Sequence, residues 1–406
     1  MKILIFAHRL ELGGTQVNAI ELTAALRDLH GHQVVLFATP GPMVKLVVEK
    51  GLRLLPAPDA RFHPSLGRMR ALREAVRQER PDVIHVWDWW QCLEAYYAVH
   101  LPMRVPMVVT DMMMDLTRVL PKGLPTTFGT PELLDKARAA GRRRSELLLP
   151  PVDVYFNAPN MVDSGHFREQ YGLKDGGITL VTVSRLADFM KSESLFRTVQ
   201  AVRALGRDLP LRVIIVGDGA ARAALERLAG EVNTELGRAA VVLTGPLLDP
   251  RPAYAAADIV VGMGGSALRG MAFSKPVIIV GEKGFSEPLT EDTADSFHYK
   301  GIYGRGNGTS DNARLIGDIW RLAKQPDQLR ALGEFSRQFV VRHFSLEAVS
   351  AKLSDFCLRA VAEKPSLHTA AFDSLRTATV YVREKRFLTP SRDAEPQRVL
   401  EKLSPR

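Results

Sequence analysis

Residues 257–287, ADIVVGMGGSALRGMAFSKPVIIVGEKGFSE, hold the densest set of groups suited to binding an anion. Gly262, Gly264, Gly265 and Ser266 separate an apolar run from a stretch that reads as a helix. Glycines let backbone N–H groups approach a ligand closely, and the first helical turn has N–H groups with no intrahelical acceptor. A phosphate suits such a turn. Ser266 is a candidate cap for the helix. Arg269 falls in the expected first turn, where a cation opposes the helix dipole. A bound phosphate would reverse that penalty; an ion pair with Asp or Glu is the alternative. Glu282 and Glu287, in VGEKGFSE, are the next carboxylates along the chain.

Four other groups have the right chemistry. In LELGGTQVNAIEL, Gly13 and Gly14 precede a helix beginning near Thr15, which makes either a second anion-binding turn or a tight strand-to-helix connection. In VSRLADFMKSE, Arg185 ends a strand and Lys191 lies six residues on. Together they form either a diphosphate clamp, a planar fork beside a point charge, or a solvated pair. Gly217-Asp218-Gly219 repeats the strand–glycine–helix form. His85, in DVIHVWD, and Asp111, in VVTDMMMD, sit at strand ends. His85 reads equally as a substrate contact or a satisfied core histidine, and Asp111 as a base or a holder of a substrate hydroxyl. The methionines after Asp111 suit an adaptable apolar wall.

These groups need a scaffold that brings strand ends together. KILIFA, HQVVLFAT, DVIHVWD and PMVVTD are short apolar runs separated by helical periodicities, TQVNAIELTAALRDL and SLGRMRALREAVRQERP among them. That alternation predicts a parallel sheet with helices on both faces. Residues 119–165 are rich in Pro, Gly and Asn and read as a loop-rich passage ending in a linker over 151–165. The alternation then restarts with ITLVTVSRL, LRVIIVGDG, AAVVLTG, ADIVVGM and KPVIIVG, followed by helices. The expectation is an α/β protein with two Rossmann-like domains, 1–150 and 166–340, facing a central cleft. A helix over 341–363 returns to the first domain and a basic tail covers 364–406. Ligands of open α/β sheets bind beyond the carboxyl ends of the strands.

The bulk numbers narrow the class. A chain of 406 residues suits two domains, and its 46% apolar and 24% charged content is that of a globular protein. No apolar run is long enough to span a bilayer. MKILIFAHRLELGG passes straight into a glycine turn with no small-residue cleavage site, so it reads as a first strand. Cys92 and Cys357 form no metal or disulfide pattern, and the cytoplasm is the expected location. Of the net charge of +9, residues 364–406 carry +4, with nine Lys/Arg against five Asp/Glu. No aromatic–basic interleaving points to nucleic acid. Contact of a basic face with anionic lipid, and so a peripheral membrane association, stays open.

On LGGTQ, PDVIHVWD, VSRL followed by Lys191, VGDG, and YAAADIVVGMGGSALRGMAFSKPVI, the chain resembles the family 4 glycosyltransferases of the GT-B fold over roughly residues 1–360. The resemblance implies a retaining enzyme that moves a sugar from a nucleotide-sugar co-substrate, such as a UDP-sugar, to an acceptor (polysaccharide, lipid-linked or secondary-metabolite). It implies no metal or other cofactor. Arg185 and Lys191 would hold the donor diphosphate, and Gly13 and Gly14 would adjoin donor phosphate and acceptor. With them go Gly264, Gly265, Ser266, Arg269 and Glu282 for the donor, and Thr15 and His85 for the acceptor. The family's paired glutamates align with Val261–Gly262 and Arg269, and its histidine after VVT with Asp111-Met112, so Asp111 and Glu287 are the candidate catalytic carboxylates. A non-catalytic sugar-nucleotide-binding or assembly subunit is the rival reading. Epimerisation or hydrolysis of a nucleotide sugar is a third.

Overall fold

Buried strands that must satisfy helices on both faces are largely apolar, and the longer strands of the first sheet are such runs. In the computed structural model, β1 (Lys2–Phe6), α1 (Gly14–Asp28), β2 (Gln33–Ala38), α2 (Val44–Glu49), β3 (Leu54–Pro56) and α3 (Leu66–Glu79) come first. They are followed by β4 (Val83–Trp87), α4 (Asp88–Ala95), a π-helical turn (Tyr96–His100), α5 (Leu101–Met103) and β5 (Met107–Asp111). Next are β6 (Thr126–Phe128), α6 (Pro131–Ala139) and β7 (Ser145–Leu147). Then come α7 (Gly165–Gln170), β8 (Ile178–Val183), α8 (Ser192–Leu205), β9 (Leu211–Val216), α9 (Arg222–Leu236) and β10 (Val241–Gly245). The chain continues through α10 (Arg251–Ala256), β11 (Ile259–Gly262), α11 (Gly265–Ala272), β12 (Val277–Val280), β13 (Ser286–Pro288) and α12 (Glu291–Lys300). It ends with α13 (Ala313–Ala323), α14 (Pro326–Phe344), α15 (Leu346–Ala362) and α16 (Leu367–Arg383). The structure describes residues 1–173, 176–187, 192–308, 312–363 and 367–388.

Two units emerge, Met1–Pro151 with Leu346–Arg406, and Val152–Ser345. The first carries a seven-stranded sheet in the order β3-β2-β1-β4-β5-β6-β7, all parallel. The second carries six strands in the order β10-β9-β8-β11-β12-β13, parallel except for the β12–β13 edge. In both, the order reverses beside the first strand of the sheet, between β1 and β4 and between β8 and β11. These are the switch points where loops diverge and leave room for a ligand.

The structure departs from the sequence reading in three places. The passage 119–165 is not all loop, because β6, α6 and β7 complete the first sheet. The signal for α6 is local: Thr130 accepts a hydrogen bond from Leu133 N at 3.2 Å, Pro131 opens the helix and Glu132 lies in its first turn. Its neighbours β6 and β7 have three residues each, too few to show periodicity. The edge strand β13 was likewise too short to read. The expected basic tail over 364–406 contains a helix: residues 367–383 form α16 within the first unit. There too α15 lays Val349, Leu353, Phe356 and Cys357 into the cluster built on Ile3, Ile5 and Leu22. Its register is held by His30 Nε2 against Ser350 Oγ at 2.9 Å and His32 Nε2 against Ser354 Oγ at 2.7 Å.

Candidate functional site

The second unit's switch point is cationic and rich in backbone donors. Arg185 follows β8 and is exposed, while Gly264, Gly265 and Ser266 follow the neighbouring β11. Gly264, at φ 54°, caps α11 in a conformation that favours glycine. Its own N–H is taken by Ile302 O at 2.7 Å, so the donors without an intrahelical acceptor are those of Gly265, Ser266 and Ala267. Ser266 does not cap the helix. It lies inside the first turn, and its Oγ accepts from the hydroxyl of buried Tyr254 at 3.2 Å. Arg269 is in the second turn of this short helix, a correction to its expected place. Helical side chains nevertheless lean toward the N-terminus, so its Nη1 returns to within 3.3 Å of Gly265 O. Its positive charge therefore sits over the opening turn after all.

The next acids along the chain are held by other parts of the same unit. Glu282 Oε2 lies 3.8 Å from Arg305 Nε, and the 282–285 turn is tied down by Glu193 of α8, which accepts from Lys283 N and Gly284 N. Glu287 on the edge strand pairs with Arg314 of α13. Lys191 lies outside the described residues. The Gly217–Gly219 turn resembles the others in sequence but has a different reason for its glycines. A Cβ at Gly217 would lie 1.8 Å from Ser184 O, and one at Gly219 would lie 2.4 Å from Leu186 O. The β9 turn packs directly on the backbone that carries Arg185, with Leu186 N donating to Asp218 O and Ala221 N to Leu186 O. These glycines support the Arg185 loop through backbone packing.

The first unit's switch point is acidic and buried. His8 follows β1, Asp88 opens α4 after β4, and Asp111 ends β5; all three are buried. His8 Nε2 lies 2.9 Å from Asp88 Oδ2, and Asp88 Oδ1 accepts from Met112 N at 2.8 Å. Asp88 adopts φ 54°, an unusual conformation for a non-glycine residue. Asp111 Oδ1 accepts from Met113 N at 3.2 Å. Burial, and next the charge of Asp88, push the Asp111 carboxyl up to about 7. The sequence reading singled out neither His8 nor Asp88; their signal was position, directly after the two central strands.

His85 is settled as a core histidine. It faces the sheet interior with Nε2 against Thr110 Oγ1 at 2.7 Å, and burial holds it neutral, down to about 3. Gly13 is the cap of α1 in extended backbone that any residue adopts. A Cβ there would meet only the mobile end of Gln16, and one at Gly14 would meet nothing within 4 Å. Thr15 stands beside them, half-buried in the first turn of α1. The chain's own packing thus does not demand glycine at 13 or 14. Among the described residues, no group of three or more His, Cys, Asp or Glu is placed to hold a metal ion. No described helix is long and apolar enough to cross a membrane.

Comparison with known proteins places this geometry in a family. The chain matches Glycosyltransferase Family 4 over residues 12–124 and Glycosyl transferases group 1 over residues 177–300. A search of curated proteins finds no significant match. Among solved structures, a glycosyltransferase from Rickettsia africae aligns with TM-score 0.70 at 15% identity, covering 88% of this chain and 98% of its own. Anabaena Alr3699/HepE in complex with UDP aligns with TM-score 0.67 at 16% identity, over 87% and 99%. UDP-GlcNAc 2-epimerase from Neisseria meningitidis bound to UDP-GlcNAc aligns with TM-score 0.60 at 11% identity, over 88% and 100%. At such identities the structural likeness carries the fold alone, and the fold hosts more than one reaction. The matched domains decide between them: with a family 4 domain ahead of a group 1 domain on two α/β sheets, the chain belongs to the glycosyltransferases.

Proposed function

We propose that this glycosyltransferase takes its sugar from a nucleotide-diphosphate donor, such as a UDP-sugar, and passes it with retention to an acceptor hydroxyl. One observation carries the donor assignment. Arg185 and the Gly265–Ala267 amides follow β8 and β11, adjacent strands at the switch point of the second unit, with the Arg269 guanidinium over the same turn. In the transfer, the bond between the anomeric carbon and the phosphate oxygen breaks and the acceptor oxygen takes its place. The acceptor hydroxyl's proton passes to the departing phosphate oxygen or to a base, and negative charge gathers on the diphosphate. Donors already aimed at that charge are the largest expected contribution to catalysis. Arg185 supplies a planar fork, the α11 amides supply fixed dipoles, and Lys191, by resemblance, supplies a point charge. No metal ion or other cofactor enters this scheme.

In the first unit, the open backbone at Gly13–Gly14 beside Thr15 suits close approach of a sugar or phosphate. We assign the proton exchange to Asp111, supported by its position at the end of β5 and by burial that pushes its carboxyl up to about 7. Calorimetry with UDP tests the donor assignment. Arg185→Ala and Lys191→Ala should each weaken binding by about 1.5–3 kcal/mol. Equal affinity in wild type and both variants would place the diphosphate elsewhere. Slow release of UDP from a UDP-sugar in the absence of acceptor tests turnover. Tight binding without any release under those conditions returns the reading to a sugar-nucleotide-binding subunit.

A further inference from the structure

A helix on the surface of a water-soluble domain normally turns its apolar stripe inward. The helix α16 does the reverse. Its inner face carries Asp373 and Thr377, 5% and 0% exposed, while Phe372, Leu375 and Val382 on the outer face are 72%, 71% and 62% exposed. Phe372, Leu375 and Val382 recur at helical spacing along this face, with Thr379 between Leu375 and Val382. Beyond the helix end, where the chain turns at Lys385 (φ 52°), Phe387 and Leu388 are also exposed.

The inner face is held mainly by polar bonds. The Asp373 carboxylate accepts from Lys122 N at 3.2 Å and Gly123 N at 2.5 Å. Tyr96 and Tyr97 donate their hydroxyls to Ala370 O and Ser374 O, both at 3.0 Å, and Tyr381 donates to His63 O at 2.7 Å. Arg376 donates to Leu120 O and Arg118 O. Val380 and Tyr381 are the apolar exceptions, packed on the core beneath. The helix is therefore fixed in one orientation by specific partners, and its apolar side is directed outward. Along its flank runs an apolar groove of about 680 Å³, walled by Leu93, Tyr97, Leu101, Leu375 and Ala378.

The charges around the stripe have one sign. Arg383 and Lys385 are exposed beside Val382 and Phe387. Of the described acids from Leu367 onward, Asp373 is buried against backbone N–H groups and Glu384 is paired with Arg386. Apolar side chains beside uncompensated cations match the boundary of an anionic bilayer, where acyl chains lie beneath phosphate headgroups.

We propose that the outer face of α16, with Phe387 and Leu388, is a docking surface for membranes that contain anionic lipid, and that the groove receives part of an acyl chain. The occupant is a lipid surface because the stripe is bordered by cations and its carboxylates are already engaged. A second copy of the same face would bury Arg383 and Lys385 with no free carboxylate of that face to pair with them.

Flotation of the full chain with vesicles tests this. Wild type should float with phosphatidylcholine vesicles containing about a third phosphatidylglycerol and stay behind with phosphatidylcholine alone. F372S/L375S/V382S should reduce binding more than tenfold, and R383E/K385E several-fold. Both variants should melt as wild type does, because the altered side chains have no described partners within the fold. The proposal is overturned if wild type does not bind anionic vesicles, or if the serine variant binds them equally well. It is also overturned if sedimentation shows a wild-type dimer that the serine substitutions dissociate and vesicles do not compete with.

Discussion

The two switch points share a strand order and differ in almost everything else. In the first unit, β1 and β4 lead to His8, Asp88 and the neighbouring Asp111, buried and acidic. In the second, β8 and β11 lead to Arg185, the α11 amides and Arg269, which are exposed or half-buried and positive. One topology therefore offers two kinds of site, one able to hold or move a proton and one able to neutralise a diphosphate. Strand order decides where a ligand can sit, whereas the residues after each strand decide which ligand it is.

The largest effect should come from the glycines that the fold itself requires. Gly217→Ala would drive a Cβ into Ser184 O at φ 142°. We expect a loss of about 3 kcal/mol or more, or no folded protein, in urea unfolding. A variant with wild-type stability would show that the β9 turn does not support the Arg185 loop.

Arg269→Glu probes the cationic side directly. It places a carboxylate over the Gly265 turn, beside the proposed phosphate position, and should lower UDP affinity at least tenfold with little change in melting temperature. Unchanged affinity would mean that Arg269 serves the fold and not the ligand.

The acidic side is best tested by pH. Asp111, raised from 3.8 to about 7, stabilises the fold below its unfolded value and loses that contribution as pH rises toward 7. His85, lowered from 6.5 to about 3, contributes fully above 6.5 and less as pH falls toward 3. Between about pH 4 and 6.5 the two oppose one another, so wild-type stability should be nearly flat there with respect to this pair. Asp111→Asn removes one partner, and unfolding free energy should then rise with pH by up to about 1.4 kcal/mol per unit. A variant profile parallel to wild type would remove Asp111 from the list of titrating groups.

The smallest stability effect belongs to Gly14→Ala, expected within about 0.5 kcal/mol of wild type because its Cβ meets nothing. If sugar transfer falls while stability holds, the glycine is retained for a ligand. If transfer is unchanged, Gly13–Gly14 is only a connection, and the first unit's site rests on its buried acids.

The sequence alone determined the alternation of strands and helices, and with it two α/β sheets, because buried parallel strands must be largely apolar and helices repeat every 3.6 residues. It also determined which residues stand at strand ends, His85 apart, because strand ends are marked by the first glycine, charge or turn residue. Short elements escaped. The three-residue strands β6, β7 and β13 exist because a neighbouring strand offers a ladder, and no local signal of that length can announce a partner. Only the tertiary structure separated the glycine turns, since Gly14 and Gly219 differ in what lies opposite them and not in their neighbours along the chain. It also decided the burial of His85, the turn on which Arg269 sits and the reversed face of α16. A side chain's role depends on the atoms that surround it, and for these residues most of those atoms come from distant parts of the sequence.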